Sequence, residues 1–270
     1  VYKRQIAWCV LYAGYYVLSR GDSFSQMALN ILHIPVNFGC EIGHLWYIYM
    51  LIGLYLVTPI ISPWLQQASK RELEGYLGLW IITTFLPYIH LVYPEVLGEA
   101  FWNDTPLLYY FTGFIGYFIL GYYLKRFGYP SAALSWIILI VGFALSAGIF
   151  CSRIDTVPTV PELELSWGFC TVNVFLMTLG LFSLIGRLSL KGKNATCKLL
   201  SDISIKSYGM YLAHILFLNF YYGLFKSISD AAYVTIPLIA VCTFITVYIF
   251  VYLLSYLPKS KYIICLLYTS

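Results

Sequence analysis

Eight stretches of this sequence run apolar for about the length that a bilayer core demands of a helix, roughly 20 residues. They cover 6–19, 45–64, 75–92, 107–124, 132–150, 167–186, 207–225 and 233–256. The runs are continuous rather than alternating, which predicts helices and excludes barrel strands. Only the first is short for a span. A soluble domain could not cover its surface with the polar material left over, because 60% of residues are hydrophobic, 10% are charged and mean hydropathy is +0.78. The expected fold class is therefore all-α, a polytopic integral membrane helix bundle with about eight transmembrane helices.

The charges between the runs alternate. Lys3 and Arg4, Lys70 and Arg71, Lys125 and Arg126, Arg187, Lys191, Lys193, Lys198 and Lys206, and Lys259 and Lys261 all fall on one side, thirteen of the sixteen basic residues. The other side carries Arg20, Arg153 and Lys226 together with nine of the twelve acids, including Asp22, Glu41, Glu95, Glu99 and Asp104. The positive-inside rule makes the first set cytoplasmic. An omitted helix would scramble this pattern, so the alternation supports the count. The net charge of +4 has no meaning as a single figure here, and nucleic acid is not an expected partner. The lipid bilayer is.

The connections carry few signals. The segment from Arg20 to Gly43 is the longest outer one, and its Pro35, Asn37 and Gly39 predict irregular backbone. The basic stretch from Arg187 to Asp202 suits orientation and contact with anionic lipid, or contact with the phosphates of a cytoplasmic donor. No Cys/His spacing suggests a metal ligand set, and no phosphate-binding loop, dinucleotide fingerprint or nucleophile elbow is present. Asn103-Asp104-Thr105 matches a glycosylation triplet, a pattern common by chance. Residues 1–5 and 265–270 read as non-native ends, so the natural protein is expected to continue beyond both.

The histidines are the chemically interesting residues. His33 lies in the long outer segment, and His44 and His90 sit at the outer ends of their runs. His214 lies mid-span, on one helical face with Ser207, Met210, Tyr211 and Leu218, where the Tyr211 hydroxyl could support it. The plain readings are a polar contact between helices for His214 and an interfacial residue beside a belt tryptophan for His44. No Ser or Cys stands at a spacing that would make a triad with them. The apolar runs hold no intramembrane carboxylate, which weighs against a proton-coupled transporter.

Three phrases, HLWYIYMLIGLYLVTPI from His44, FTGFIGYFILGYYL from Phe111 and SYGMYLAHILFL from Ser207, together resemble the membrane-bound acyltransferase family 3. The first resembles the enterobacterial-common-antigen O-acetyltransferase branch more than the branch carrying an extra hydrolase-like domain. The resemblance assigns residues 6–257 to one transmembrane domain. It implies an enzyme of about ten bilayer-length helices in the bacterial inner membrane. Such an enzyme takes an acetyl or other acyl group from acyl-coenzyme A at the cytoplasmic face. It delivers that group to a hydroxyl of a polysaccharide, lipid-linked sugar or similar acceptor at the outer face, with no permanently bound cofactor. Members also carry an Arg and an essential His in their first helix. Neither is present here, so the chain is expected to be an N-terminally truncated fragment, inactive alone.

The chemistry needs a base to take the acceptor's proton and donors for the developing oxyanion. The expected catalytic residues are His44, as a catalytic-site or acceptor-orienting residue, and His214, also read as a channel or structural residue, while the resemblance implies that the principal catalytic His belongs to the missing N-terminal helices. Trp46, Tyr47, Glu41, Tyr208 and Tyr211 are the expected substrate contacts. The rival classes are a multi-span transporter or flippase of polysaccharide precursors, to which Gly53, Pro59 and Pro87 would lend helix breaks, and an inactive membrane scaffold. Oligomeric state has no signature in the sequence.

Overall fold

The computed structural model describes residues 2–34, 43–188, 195–228 and 231–257. In chain order its helices are α1 (Tyr2–Arg20), α2 (Phe24–His33), α3 (Trp46–Gln67), α4 (Lys70–Thr83), α5 (Leu86–Ile89), α6 (Ile115–Phe127), α7 (Ala132–Arg153), α8 (Val160–Leu163), α9 (Val172–Gly186), α10 (Ala195–Lys226) and α11 (Ala232–Ser255). Short 3-10 turns cover Gly43–Leu45, Tyr109–Phe111 and Glu164–Trp167. No strand occurs among the described residues, so the all-α class holds. α3, α7 and α11 are long and apolar enough to cross a membrane. A fourth crossing is added if Val160–Trp167 and α9, bent by 43°, count as one span.

Two expectations about the backbone are corrected. The outer segment after Arg20 is not irregular throughout, because Ser23 caps α2 by accepting a hydrogen bond from the Gln26 N–H at 3.1 Å. Pro35, Asn37 and Gly39 lie outside the described residues. The runs 75–92 and 107–124 are not single helices either, the second holding the 3-10 turn Tyr109–Phe111 before α6 begins at Ile115. Thr83 and Thr84 turn their hydroxyls back onto the Trp80 and Ile81 carbonyls, both at 2.6 Å, and α5 starts again with Pro87 in its first turn.

The chain divides into two compact units, Met50–Ser189 and Val1–Tyr49 with Leu190–Ser270, and α3 begins in the second and continues in the first. The core of the Met50–Ser189 unit is built around Trp80, fully buried with Leu73, Leu77, Ile119, Leu124 and Phe175. Its indole N–H donates to the Gly113 carbonyl at 3.0 Å. Gly116 is what admits the ring, since a Cβ there would lie 2.0 Å from Trp80 Cε2. Ser69 and Glu72 form a capping box at the start of α4, and Arg126 donates to the Leu65 and Ala68 carbonyls at the end of α3. Pro59 and Pro63 sit inside α3 without ending it. The hydroxyls of Thr58 and Ser62 donate to the Leu54 and Thr58 carbonyls along the same stretch.

α7 and α9 pack with their backbones almost touching. A Cβ on Gly142 would come within 2.7 Å of the Met177 amide nitrogen, and one on Gly180 within 2.7 Å of the Leu139 amide nitrogen. Small residues allow this approach, and without a hydrophobic drive between helices in lipid it is van der Waals contact that holds them. A buried polar knot adds to it. Asn173 donates to Ser146 Oγ at 2.7 Å and to the Ser166 carbonyl at 2.9 Å, while accepting from the Tyr88 hydroxyl at 2.7 Å.

In the other unit, α1 buries Trp8, Tyr12 and Tyr16, spaced by four on one helical face, with Cys9 and Ala13 beside them. The Tyr12 hydroxyl donates to the Leu212 carbonyl of α10 at 2.7 Å. α10 and α11 are joined by a hydrogen bond between the Tyr221 and Thr246 hydroxyls at 2.7 Å and by one from the Tyr248 hydroxyl to Asp202 Oδ2 at 2.7 Å.

Candidate functional site

His44 occupies the 3-10 turn that leads into α3, and three aromatic rings from α1 and α10 close around it. Ring centroids lie 5.0 Å away for Tyr12, 5.9 Å for Tyr211 and 5.2 Å for His214, each nearly edge-on. Tyr211 fixes the turn itself, its hydroxyl donating to the His44 backbone carbonyl. His44 Nε2 is buried and makes no hydrogen bond. A buried imidazole nitrogen without a hydrogen bond is uncommon.

His214 stands in a defined tautomer. Its Nδ1 is 2.6 Å from the Tyr211 carbonyl oxygen, which can only accept, so Nδ1 carries the proton and Nε2 the lone pair of the neutral ring. The expected support of His214 by the Tyr211 hydroxyl is thereby corrected. The backbone of Tyr211 orients His214, and the side chain of Tyr211 orients His44.

Of the other expected site residues, Tyr47 lies edge-on to Tyr211 at 5.5 Å and Trp46 edge-on to Tyr47 at 6.1 Å. Tyr208 lies one turn below Tyr211, ring to ring at 6.4 Å. Glu41 lies outside the described residues. His33 ends α2, and His90 belongs to the other unit, where its Nε2 lies 2.8 Å from Glu99 Oε2 without hydrogen-bond alignment. Asn103 is tied into a turn, donating to the Gly98 carbonyl and accepting from Thr105. Among the described residues no three metal-ligating side chains come together.

An open groove of about 430 Å³ runs between α10 and α11 beside this cluster, with His214, Met210 and Tyr211 on one wall and Thr243, Phe244 and Val247 on the other. At the end of α10 towards Ala195, Lys206 is buried against Asp202 and the ring face of Tyr252 at 5.2 Å. That pairing occupies the ammonium and removes Lys206 from the set of basic residues free to meet a donor's phosphates. Two residues of the site had no signal in the motifs, Tyr12 and Thr243. Both belong to apolar runs, where a lone hydroxyl is unremarkable until the fold shows what it faces.

A family profile described as an acyltransferase domain matches residues 6–256 of the chain. The chain belongs to acyltransferase family 3. No curated protein and no solved structure matches it. Acyltransferase family 3 membership, together with helices apolar enough to cross a bilayer, makes this a multi-pass membrane protein of acyltransferase type. The match includes all the aromatic and imidazole groups of the cluster, from Tyr12 to His214.

Proposed function

We propose that the chain carries the acyl-transfer site of a membrane-bound O-acyltransferase with His44 as its general base. The donor is an acyl-coenzyme A thioester on the basic, cytoplasmic side. The acceptor is a hydroxyl of a cell-surface polysaccharide or lipid-linked sugar reaching the site from the outer side of a bacterial inner membrane. One observation carries the reading: His44 Nε2 is buried, unpartnered and ringed by Tyr12, Tyr211 and His214.

The chemistry balances with these groups. The acceptor oxygen attacks the thioester carbonyl carbon as its proton passes to His44 Nε2, forming the C–O bond. Collapse of the tetrahedral intermediate breaks the C–S bond, and the departing thiolate takes the proton from the imidazolium. A positioned base of this kind contributes about 10² to 10⁴ in rate. Tyr12 and Tyr211 direct their hydroxyls at backbone carbonyls, so they position the ring and do not donate to the oxyanion. Tyr47 and Trp46, at the start of α3, are the acceptor's proposed contacts, and an eight-span topology is the frame we propose for them. Of the helix breaks that a transporter of sugar precursors would need, none is made at Gly53 or Pro59, because α3 runs through both, and one lies just before Pro87, between α4 and α5.

The test is transfer of labelled acetyl from acetyl-coenzyme A to a sugar acceptor by the full-length protein in proteoliposomes. His44→Ala is expected to abolish transfer while membrane insertion stays intact. Transfer at the unsubstituted rate would refute the role.

A further inference from the structure

The Met50–Ser189 unit carries a surplus of positive charge at one end of its helices. On the side that the charge alternation makes cytoplasmic it has Lys70, Arg71, Lys125, Arg126 and Arg187 against Glu72 and Glu74. Both acids are engaged. Glu72 closes the capping box of α4, and Glu74 accepts from the Tyr123 hydroxyl at 2.6 Å with Lys70 Nζ 3.7 Å away. Arg126 donates to the Leu65 and Ala68 carbonyls, and Arg187 to those of Tyr129 and Pro130. Among the described residues of this end, Arg71 and Lys125 are left without a partner, neither within ion-pair reach of a carboxylate.

Lys125 differs from Arg71 in standing at a cleft. A space of about 350 Å³ opens between the last turns of α3 and α6, lined by Leu65 and Gln66 from α3 and by Phe118, Gly121, Tyr122 and Lys125 from α6. The α6 residues share one helical face, about 10 Å from Phe118 to Lys125. The cleft is therefore apolar towards the middle of the helices, at Phe118 and Gly121, and polar at their ends, where Gln66, Tyr122 and Lys125 bring an amide, a hydroxyl and an ammonium. Tyr122 accepts from Arg126 at 3.4 Å and keeps its own proton to donate. A Cβ on Gly121 would meet nothing within 4 Å, so the missing side chain there is what leaves the cleft open.

Such a cleft fits an amphiphile with its anion at the level of the helix ends and hydrocarbon running back towards the middle of the membrane. An anionic phospholipid has that layout. Free phosphate would leave the apolar part empty, and the adenosine and pantetheine of coenzyme A are polar where Phe118 and Gly121 are not. A zwitterionic lipid brings a cation of its own, which Lys125 repels. We propose that the α3–α6 cleft holds one anionic phospholipid of the cytoplasmic leaflet, its phosphate at Lys125, Gln66 and Tyr122 and an acyl chain along Gly121 and Phe118. Basic pockets between helices on the cytoplasmic side take anionic headgroups for the same electrostatic reason. The proposal is independent of the acyl-transfer reading.

The test titrates the full-length protein in detergent with phosphatidylglycerol and, separately, with phosphatidylcholine, and counts retained lipid by native mass spectrometry. One phosphatidylglycerol is expected to stay bound at concentrations where phosphatidylcholine does not. Lys125→Gln is expected to weaken its retention about fivefold, the worth of one lysine near a charged membrane surface. Gly121→Leu, which fills the cleft and leaves the charge in place, is expected to weaken it at least as much. Arg71→Gln removes an equally unpartnered cation away from the cleft and is expected to change nothing. Equal retention of the two lipids, an Arg71→Gln loss that matches Lys125→Gln, or full retention in Gly121→Leu overturns the proposal. So does displacement of phosphatidylglycerol by excess coenzyme A or inorganic phosphate, which gives the cleft to a soluble anion.

A second readout needs no substitution. Phosphatidylglycerol carrying a diazirine high on one acyl chain, photolysed with the protein in nanodiscs, is expected to label α3 between Ser62 and Gln66 and α6 between Phe118 and Lys125. Label confined to other helices overturns the proposal.

Discussion

Tyr211 serves two rings with two different parts of itself, its hydroxyl holding the turn of His44 and its carbonyl holding His214. Removing the hydroxyl leaves the second contact untouched, which makes Tyr211→Phe a selective probe. A net hydrogen bond is worth about 0.5 to 1.5 kcal/mol, so the rate of acyl transfer is expected to fall by up to about tenfold with KM little changed. A loss far beyond tenfold, or a large rise in KM, would show that Tyr211 acts through something other than the placement of His44. The imidazoles themselves were legible as polar intrusions into apolar runs. Which part of Tyr211 meets which ring was not. Helical spacing says that Tyr211 and His214 share a face, but the hydroxyl reaches a partner 167 positions away in sequence, and no periodicity encodes that.

Helix positions followed from some of the apolar runs, as at α3, α7 and α11, and not from others, as at 75–92 and 107–124, while helix ends followed from a different chemistry, that of caps. Ser69 and Glu72 show it at α4, where the two backbone N–H groups and two side chains bond reciprocally. The hydrogen bonds from Ser69 hold the Glu72 carboxyl below its ordinary value of 4.5. A carboxyl whose folded pKa is depressed stabilises the fold fully above its unfolded pKa and loses that contribution as pH falls through the folded one. Ser69→Ala is therefore expected to bring the Glu72 pKa up towards 4.5, followed by carbon-detected NMR of the side chain. It is also expected to lower the melting temperature, more at neutral pH than in acid, where only the loss of the Ser69 Oγ cap on the Glu72 N–H remains. A melting difference larger in acid than at neutral pH would contradict this. α2 escaped the reading of the sequence because a ten-residue amphipathic helix is invisible to a search for bilayer-length runs. The break at Thr83 and Thr84 escaped for the opposite reason, since its hydroxyl bonds interrupt a stretch that stays apolar throughout.

For the whole molecule, the alternation of charge is the strongest global statement the sequence makes, and it sets an expected sidedness without any contact being known. Cysteines placed at Gln67 and Asp104, both exposed, test it directly. With native thiols blocked, Gln67→Cys is expected to react with an impermeant maleimide only from the cytoplasmic side and Asp104→Cys only from the outside. Reaction of both from one side would discard the eight-span frame and with it the assignment of donor and acceptor faces. Fold class and membrane setting were legible because composition dictates them. The cluster around His44 was only half legible, because it is assembled from α1, the turn before α3 and α10, and closeness of that kind is a property of packing. Within the Met50–Ser189 unit, packing also decides what cannot happen. With Gly142 and Gly180 each seated against the facing backbone, a one-turn slide of α7 along α9 would drive a larger side chain into a peptide group. The two helices are thus locked in register and travel as one piece, so any motion that admits or releases a substrate in that unit has to go around them.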